Sequence, residues 1–225
     1  DLLWLGGRAS GRTYGSLGDL EYFADAAGVG GHETLFPVDD SDRFRGRTSH
    51  EVLGFAFDGR ATWRTRVSGR PAFTVGYAVG SGDAHPGRGT DHAFRQTGLE
   101  RNRDRFRGVD RFPYYGALLR PELSNLHVVT AAVGFRFLPD SSIEFLYHLY
   151  RQVEPAPLVR RSHLSIDPDG KDTDIGQEWD AVLGLREWEH VDLQLIGALF
   201  RSGQAFGDRS GSLAEGAFLQ FRYNF

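Results

Sequence analysis

Neither cysteine nor methionine occurs among the 225 residues. Lack of cysteine removes disulfides, cysteine-ligated zinc and thiol catalysis together. Lack of methionine puts the start codon outside these residues, so the chain is expected to be a mature protein or a piece of a longer one. No stretch approaches the roughly 18 apolar residues of a transmembrane helix. Asp1–Arg12 has no charged-then-apolar signal pattern. An excess of positive charge is missing as well. The formal net charge is −4, whereas a nucleic-acid binder wants a basic patch. Hydropathy alone would therefore class the chain as soluble, but it is blind to barrel strands, whose only signal is alternation.

Alternation of period two runs through almost the whole chain. Leu53, Phe55, Phe57, Ala61 and Trp63 share one face, and Gly54, Ala56, Asp58, Arg60, Thr62 and Arg64 the other. Phe73–Val79 repeats the pattern. So do Val129–Phe137, Ile143–Tyr150, Glu178–Arg186, Asp192–Leu199 and Ala217–Phe225. Two weaker segments, Leu3–Arg12 and Leu20–Val29, precede them. Together these predict about nine strands of roughly 9–13 residues, against the 9–11 that a tilted membrane strand needs.

A soluble sandwich alternates too. Three features favour a transmembrane, antiparallel, up-and-down β-barrel. Trp63, Trp179, Tyr223 and Phe225 lie near the ends of apolar faces, as an interfacial girdle requires. The polar faces mix small residues with Arg, Glu and Asp, which suits a wet lumen. The connections also sort by length. Short ones fall near Tyr14–Asp19, Val67–Arg70, Pro139–Ser142 and Glu187–His190. Long ones fall at Gly30–His50, Ser81–Asn125, Val153–Thr173 and Arg201–Ser212. Barrels of the outer membrane have short periplasmic turns and longer external loops. The whole chain, 1–225, is thus expected to form part of one barrel domain with a long extracellular loop at 81–125. Phe225 ends the last strand at the periplasmic side. Counting back an odd number of strands puts Asp1 outside, so earlier strands are expected to precede it.

The stretches Trp4–Arg12, His92–Gly98, Asp104–Val109, Tyr114–Leu126, Asp174–Asp180 and Arg201–Gly207 carry more than generic barrel pattern. In them the sequence resembles the alginate export family of outer-membrane porins, along essentially its whole length and most specifically over Phe94–Asn125. The resemblance implies the C-terminal half of an 18-stranded monomeric barrel. It implies passive, selective export of an anionic polysaccharide, most simply alginate, through an arginine-rich constriction gated by loops. A broader channel for sugars or small anions is the alternative, and a binding or adhesion barrel a third. Phe221-x-Tyr223-x-Phe225 is similar to the terminal signal read by the barrel assembly machinery. Further partners implied are outer-membrane lipid and lipopolysaccharide, and periplasmic export proteins. The resemblance departs on the final strand, where the chain offers Gln220 or Asn224 in place of an acidic pore residue.

The alternation places Arg8, Arg12, Arg60, Arg64, Arg136, Arg186 and Arg222 inward. It also places Glu21, Asp25, Asp58, Glu144, Glu178, Asp180 and Asp192 inward, with Gln194 and Gln220 beside them. The charges balance, so no positive lumen follows from this count. Opposed residues in a hairpin have a constant index sum, which sets Arg8 against Asp25 and Arg12 against Glu21. Arg136 with Glu144 and Arg186 with Asp192 are expected to flank their turns similarly. Such pairs stabilise strand pairing by roughly 0.2–1 kcal/mol, so these four arginines read first as a structural girdle. Arg60 and Arg64 differ, because the facing strand offers only Thr74, Gly76 and Ala78. They are the leading candidates for contact with a passing anion. Arg222 follows, sharing Asp192.

Other patterns carry less. Asp167, Asp169, Asp172 and Asp174 resemble a calcium loop, but glycine falls at position 4 where an EF-hand needs it at 6. No metal or other cofactor is expected. His148 lies inward near Glu144, yet the nearest serines, Ser142 and Ser165, sit in no recognisable nucleophile setting, and the chain reads as a non-enzyme. Arg101, Arg103, Arg105, Arg107 and Arg111 crowd the 81–125 connection. It is either a solvated basic loop against lipopolysaccharide phosphates or a lid over the pore mouth.

Overall fold

The computed structural model describes residues 1–35, 48–97, 102–106 and 108–225. Its main feature is a nine-stranded antiparallel sheet in which sequential strands pair in order. The first four strands are β1 (Leu2–Tyr14), β2 (Gly18–Leu35), β3 (Thr48–Thr65) and β4 (Ala72–Gly80). A two-stranded ribbon follows, β5 (Arg103–Asp104) with β6 (Phe112–Pro113). Then come β7 (Leu126–Leu138), β8 (Ser141–Arg151), β9 (Asp174–Trp188), β10 (Val191–Ser202) and β11 (Leu213–Tyr223). The order and the unbroken antiparallel pairing are those of part of an up-and-down barrel.

The alternation sorts the two faces as a membrane barrel needs. Leu53, Phe55, Val75, Phe145, Leu195 and Phe221 are all exposed on the outer face. Aromatic residues pair across strands near both ends of that face. Trp63 stacks on Phe73 by the short turns, and Tyr147 meets Trp179 towards the long connections. Rings with one apolar and one polar edge suit such interfaces.

Registers follow the index sums. Arg8 stands opposite Asp25, and Arg12 opposite Glu21. Arg60 faces Gly76, and Arg64 faces Ala72. Two expectations need correction. Arg136 is opposite Ser142, while Glu144 is opposite Gly134. The turn is tighter than expected, with Leu138 opposite Ser141, and a register shift between Arg136 and Leu138 adds to the displacement. The 30–50 connection is also shorter than expected, because β2 and β3 pair continuously from Gly18↔Thr65 to Leu35↔Thr48. His32, Glu33 and His50 broke the apolar alternation, yet these arms need no apolar face where they extend beyond the membrane band. Residues 36–47 of that connection lie outside the described residues.

The inner face is not bare. The chain between β4 and β7 turns in over it instead of standing outside as a simple loop. At the outer end, Ser81 anchors the turn: its hydroxyl donates to the His92 carbonyl at 2.6 Å and accepts from Phe55 N at 2.9 Å. Further on, Phe106, Phe112 and Ala117 pack on Leu146, Val182, Ile196 and Ala198 of β8–β10. A second cluster joins Tyr115, Leu119 and Leu123 to Val128, Tyr150, Ile175 and Phe200. These two clusters form the apolar core. The connection after β8 closes over its upper end, where His163 N donates to Leu119 O at 3.0 Å and Glu122 N donates to Arg160 O at 3.0 Å.

Candidate functional site

Two kinds of surface result on the inner face. Over β1–β4 lies an open cavity of about 850 Å³. Strand β1 contributes Arg8 and Arg12 to it, β3 contributes Arg60 and Arg64, and Arg70 comes from the following turn. The inner segment adds Arg103 and Arg105, and Arg136 reaches in from β7. Among the described residues, the carboxylates lining this cavity are Glu21, Asp58 and Asp104. In this cavity cations therefore outnumber anions, although the inward positions of the whole sheet balance.

Each arginine is held differently. Arg8 forms a two-pronged pair with Asp25 at 2.5 and 2.6 Å. Arg12 lies 3.2 Å from Glu21. Arg60 meets Asp104 at 3.2 Å, so its carboxylate comes from the inner segment and not from a neighbouring strand. Its guanidinium also stands over Phe106 and Phe23, 4.6 and 4.9 Å from the ring centroids. The rings and Asp104 together fix the guanidinium at the cavity wall. Arg136 donates to the Pro139 carbonyl at 3.5 Å.

Beneath the inner segment, the wall of β8–β10 is acidic but covered. Glu144, Glu178 and Asp180 are between 0% and 3% exposed. Glu178 accepts backbone N–H bonds from Leu118 at 2.7 Å and Leu119 at 3.0 Å. Asp180 accepts one from Ala117 at 3.2 Å. Ser142 is occupied too, accepting from Val109 N at 2.9 Å. His148 bonds Thr130 at 2.9 Å, with its other nitrogen 3.6 Å from Asp180. The expectation that Glu144 and Asp180 line an open inner surface is corrected by this burial: the inner segment covers them.

The remaining candidates sit at the margins. Arg186 pairs with Asp110 of the segment and lies 3.8 Å from Asp192. Asp192 stands directly opposite Arg222, 3.6 Å away. Gln194 is buried and donates to Arg111 O at 3.2 Å. With Gln220, Arg103 and Arg120 it lines a small hollow of about 100 Å³. Arg101 and Arg107 lie outside the described residues. In the connection after β8, Asp169 and Asp172 accept backbone N–H groups of Lys171 and Asp174 in local turns. Asp174 accepts from Gln204 N at 3.3 Å. Among the described residues, no three ligand-type side chains come together as a metal site. At the outer end, Arg95 is pressed between Asp91 and Glu33. Burial works against its charge, but the two carboxylates outweigh that, and its pKa is raised.

Two site residues escaped the sequence: Arg70 joins the cavity, and Tyr115 donates to Asp58 at 2.9 Å. Arg103 and Arg105, singled out in the basic 81–125 connection, join the cavity as well. The available signal was glycine. A Cβ on Gly184 of β9 would come within 2.5 Å of Asp110, and one on Gly108 within 2.0 Å of Glu144. Glycine inside a strand marks a place where another chain segment approaches closely.

Comparison with known proteins bears on this arrangement. The family model described as "Alginate export" matches residues 1–220. The "Alginate production protein AlgE" of Pseudomonas aeruginosa is 31% identical over 244 residues, covering 100% of this chain and 49% of that protein. The protein of the same name from Azotobacter vinelandii is 27% identical over 197 residues, covering 78% of this chain and 40% of that protein. The chain thus spans about half the length of the curated relatives it matches, or less. With a nine-stranded antiparallel sheet of barrel topology matched almost from end to end, the chain belongs to the alginate export family.

Proposed function

We propose that the protein containing this chain is a passive outer-membrane channel that exports an anionic polysaccharide, alginate by the relatives' names. The arginine cavity over β1–β4 is the part of its path that this chain supplies. The supporting observation is the charge of that cavity: Arg8, Arg12, Arg60, Arg64, Arg70, Arg103, Arg105 and Arg136 against Glu21, Asp58 and Asp104. A polyuronate presents one carboxylate per sugar. A conduit for it needs cations that stay charged, give up hydration cheaply and bind carboxylates through paired N–H groups. Arginine meets all three needs. Binding must also stay weak and multi-sited for the polymer to leave. Arg8, Arg12 and Arg60 each already pair with a carboxylate, which tempers their grip. The chain acts in transport and carries no catalytic role in this reading. It sits as part of a monomeric barrel in the outer membrane, with the apolar outer face against lipid.

The test is conductance of the full-length protein in planar bilayers. Reversing charge in Arg60→Glu with Arg64→Glu should lower the anion-to-cation permeability ratio by at least about tenfold, since two sites at about 1 kcal/mol each in a wet lumen exceed the roughly 1.4 kcal/mol that tenfold requires. Oligouronates should block current through the parent channel and lose that effect in the variant. Unchanged selectivity would overturn the assignment. Equal block by neutral oligosaccharides of the same length would favour a broader sugar channel.

A further inference from the structure

We infer that residues 102–106 and 108–123 form a permanent inner lining, which removes the wall carboxylates Glu144, Glu178 and Asp180 from the pore and leaves its surface to arginine. This deepens the channel reading and rests on it: it says where the selectivity comes from. By alternation alone the inner face of the sheet is electrically balanced. Without the lining, an emerging polyanion would meet Glu178 and Asp180 on β9 and Glu144 on β8, and like charge would repel it. With the lining, Glu178 and Asp180 are consumed as acceptors, and Glu144 is buried against Gly108. Glu178 and Asp180 are positioning residues. They hold the peptide N–H groups of Ala117, Leu118 and Leu119 at 3.2, 2.7 and 3.0 Å.

A swinging lid would be built otherwise. This segment is attached over the full depth of the wall. Val109 N bonds Ser142 beside the short turns, and His163 N bonds Leu119 O at the opposite end. Phe112 and Leu119 are 0% exposed, so lifting the segment would bare apolar surface and strip buried carboxylates of their donors at once. The fit is also close. Gly116 has φ +98, and a Cβ there would stand 2.2 Å from the Tyr150 hydroxyl and 2.7 Å from Glu178. Gly184 gives similar room to Val109 and Asp110.

The experiment unseats the lining in the full-length channel. Gly116→Val should raise single-channel conductance and lower the anion-to-cation permeability ratio by about fivefold, as the wall acids come into the lumen. Adding Asp180→Asn and Glu178→Gln to Gly116→Val should restore most of that ratio while conductance stays high. Asp180→Asn alone should leave the ratio unchanged, because the other oxygen still accepts from Ala117. Heat-shifted gel mobility checks that each barrel has formed. Hydrogen exchange on the unmodified protein gives an independent reading, with Ala117–Leu119 amides expected to exchange at least about a hundredfold slower than free loop amides. Exchange at loop rates would overturn the proposal. So would a rise in anion preference on Asp180→Asn alone, or unchanged conductance in Gly116→Val. If Arg60→Glu with Arg64→Glu leaves selectivity alone while Gly116→Val opens the pore, the lining stands and the arginine path falls.

Discussion

Strands β1–β4 and strands β8–β10 both carry charges on their inner faces, but that of β8–β10 also carries Leu146, Tyr150, Val182, Ile196 and Phe200. They end in opposite conditions. On β1–β4 the charges remain in an open cavity, Arg8 paired with Asp25 across one hairpin and Arg60 held between Phe23 and Phe106. On β8–β10 the carboxylates are buried under the inner segment and bonded to its backbone. The difference arises from shape and not from charge pattern. Gly184 and Ala198 leave the second wall shallow enough for another layer of chain, and its apolar residues give that layer something to pack on. The arginines of β1 and β3 stand in the corresponding space on the first and leave it open.

The sharpest way to break this comparison is chemical access. The chain has no cysteine, so a single introduced thiol reports one place. Ser10→Cys would sit in the open cavity, and Val182→Cys beneath Phe112 and Ala117, where Val182 is 1% exposed. Both changes are close to isosteric. A water-soluble thiosulfonate reagent should label Ser10→Cys at least about a hundredfold faster than Val182→Cys, since the covered thiol reacts only through local opening. Equal rates would erase the distinction between the walls.

Replacing residues 102–123 by a short Gly/Ser bridge comes next in size. Conductance should rise severalfold, and anion preference should fall as the acids of β8 and β9 reach water. If conductance rises and preference does not fall, the lining only narrows the pore.

The strands and their registers were legible because membrane strands must alternate, and because index sums set every hairpin once its turn is located. Arg8↔Asp25 and Arg12↔Glu21 follow from that arithmetic. Arg136 and Glu144 do not, because a tighter turn and one irregularity beside it displace the register. The candidate site was only half legible. Alternation says which side chains point inward, but not whether anything covers them. Glu144 and Asp180 point inward as expected and are covered all the same. What covers them comes from the 81–125 connection, whose arginines and tyrosines have no period to betray where they pack. The glycines on both surfaces were the one trace of that contact.

The smallest expected effect tests whether the paired arginines of β1 act as girdle or as path. Exchanging the partners, Arg12→Glu with Glu21→Arg, keeps the ion pair, its 3.2 Å approach and the net charge of the hairpin. It moves the cation by one strand spacing, about 4.8 Å. If the pair serves strand pairing, heat-shifted mobility should stay as in the parent, and the permeability ratio should move by less than about twofold, in keeping with a cross-strand term of roughly 0.2–1 kcal/mol. Arg12→Glu alone should do more, because it leaves two like charges opposed at a cavity edge that Arg64 also lines. A swap as damaging as that single reversal would mean that position, and not pairing, governs Arg12. The girdle would then belong to the conducting path, and the contrast between the two walls would extend to every arginine on β1.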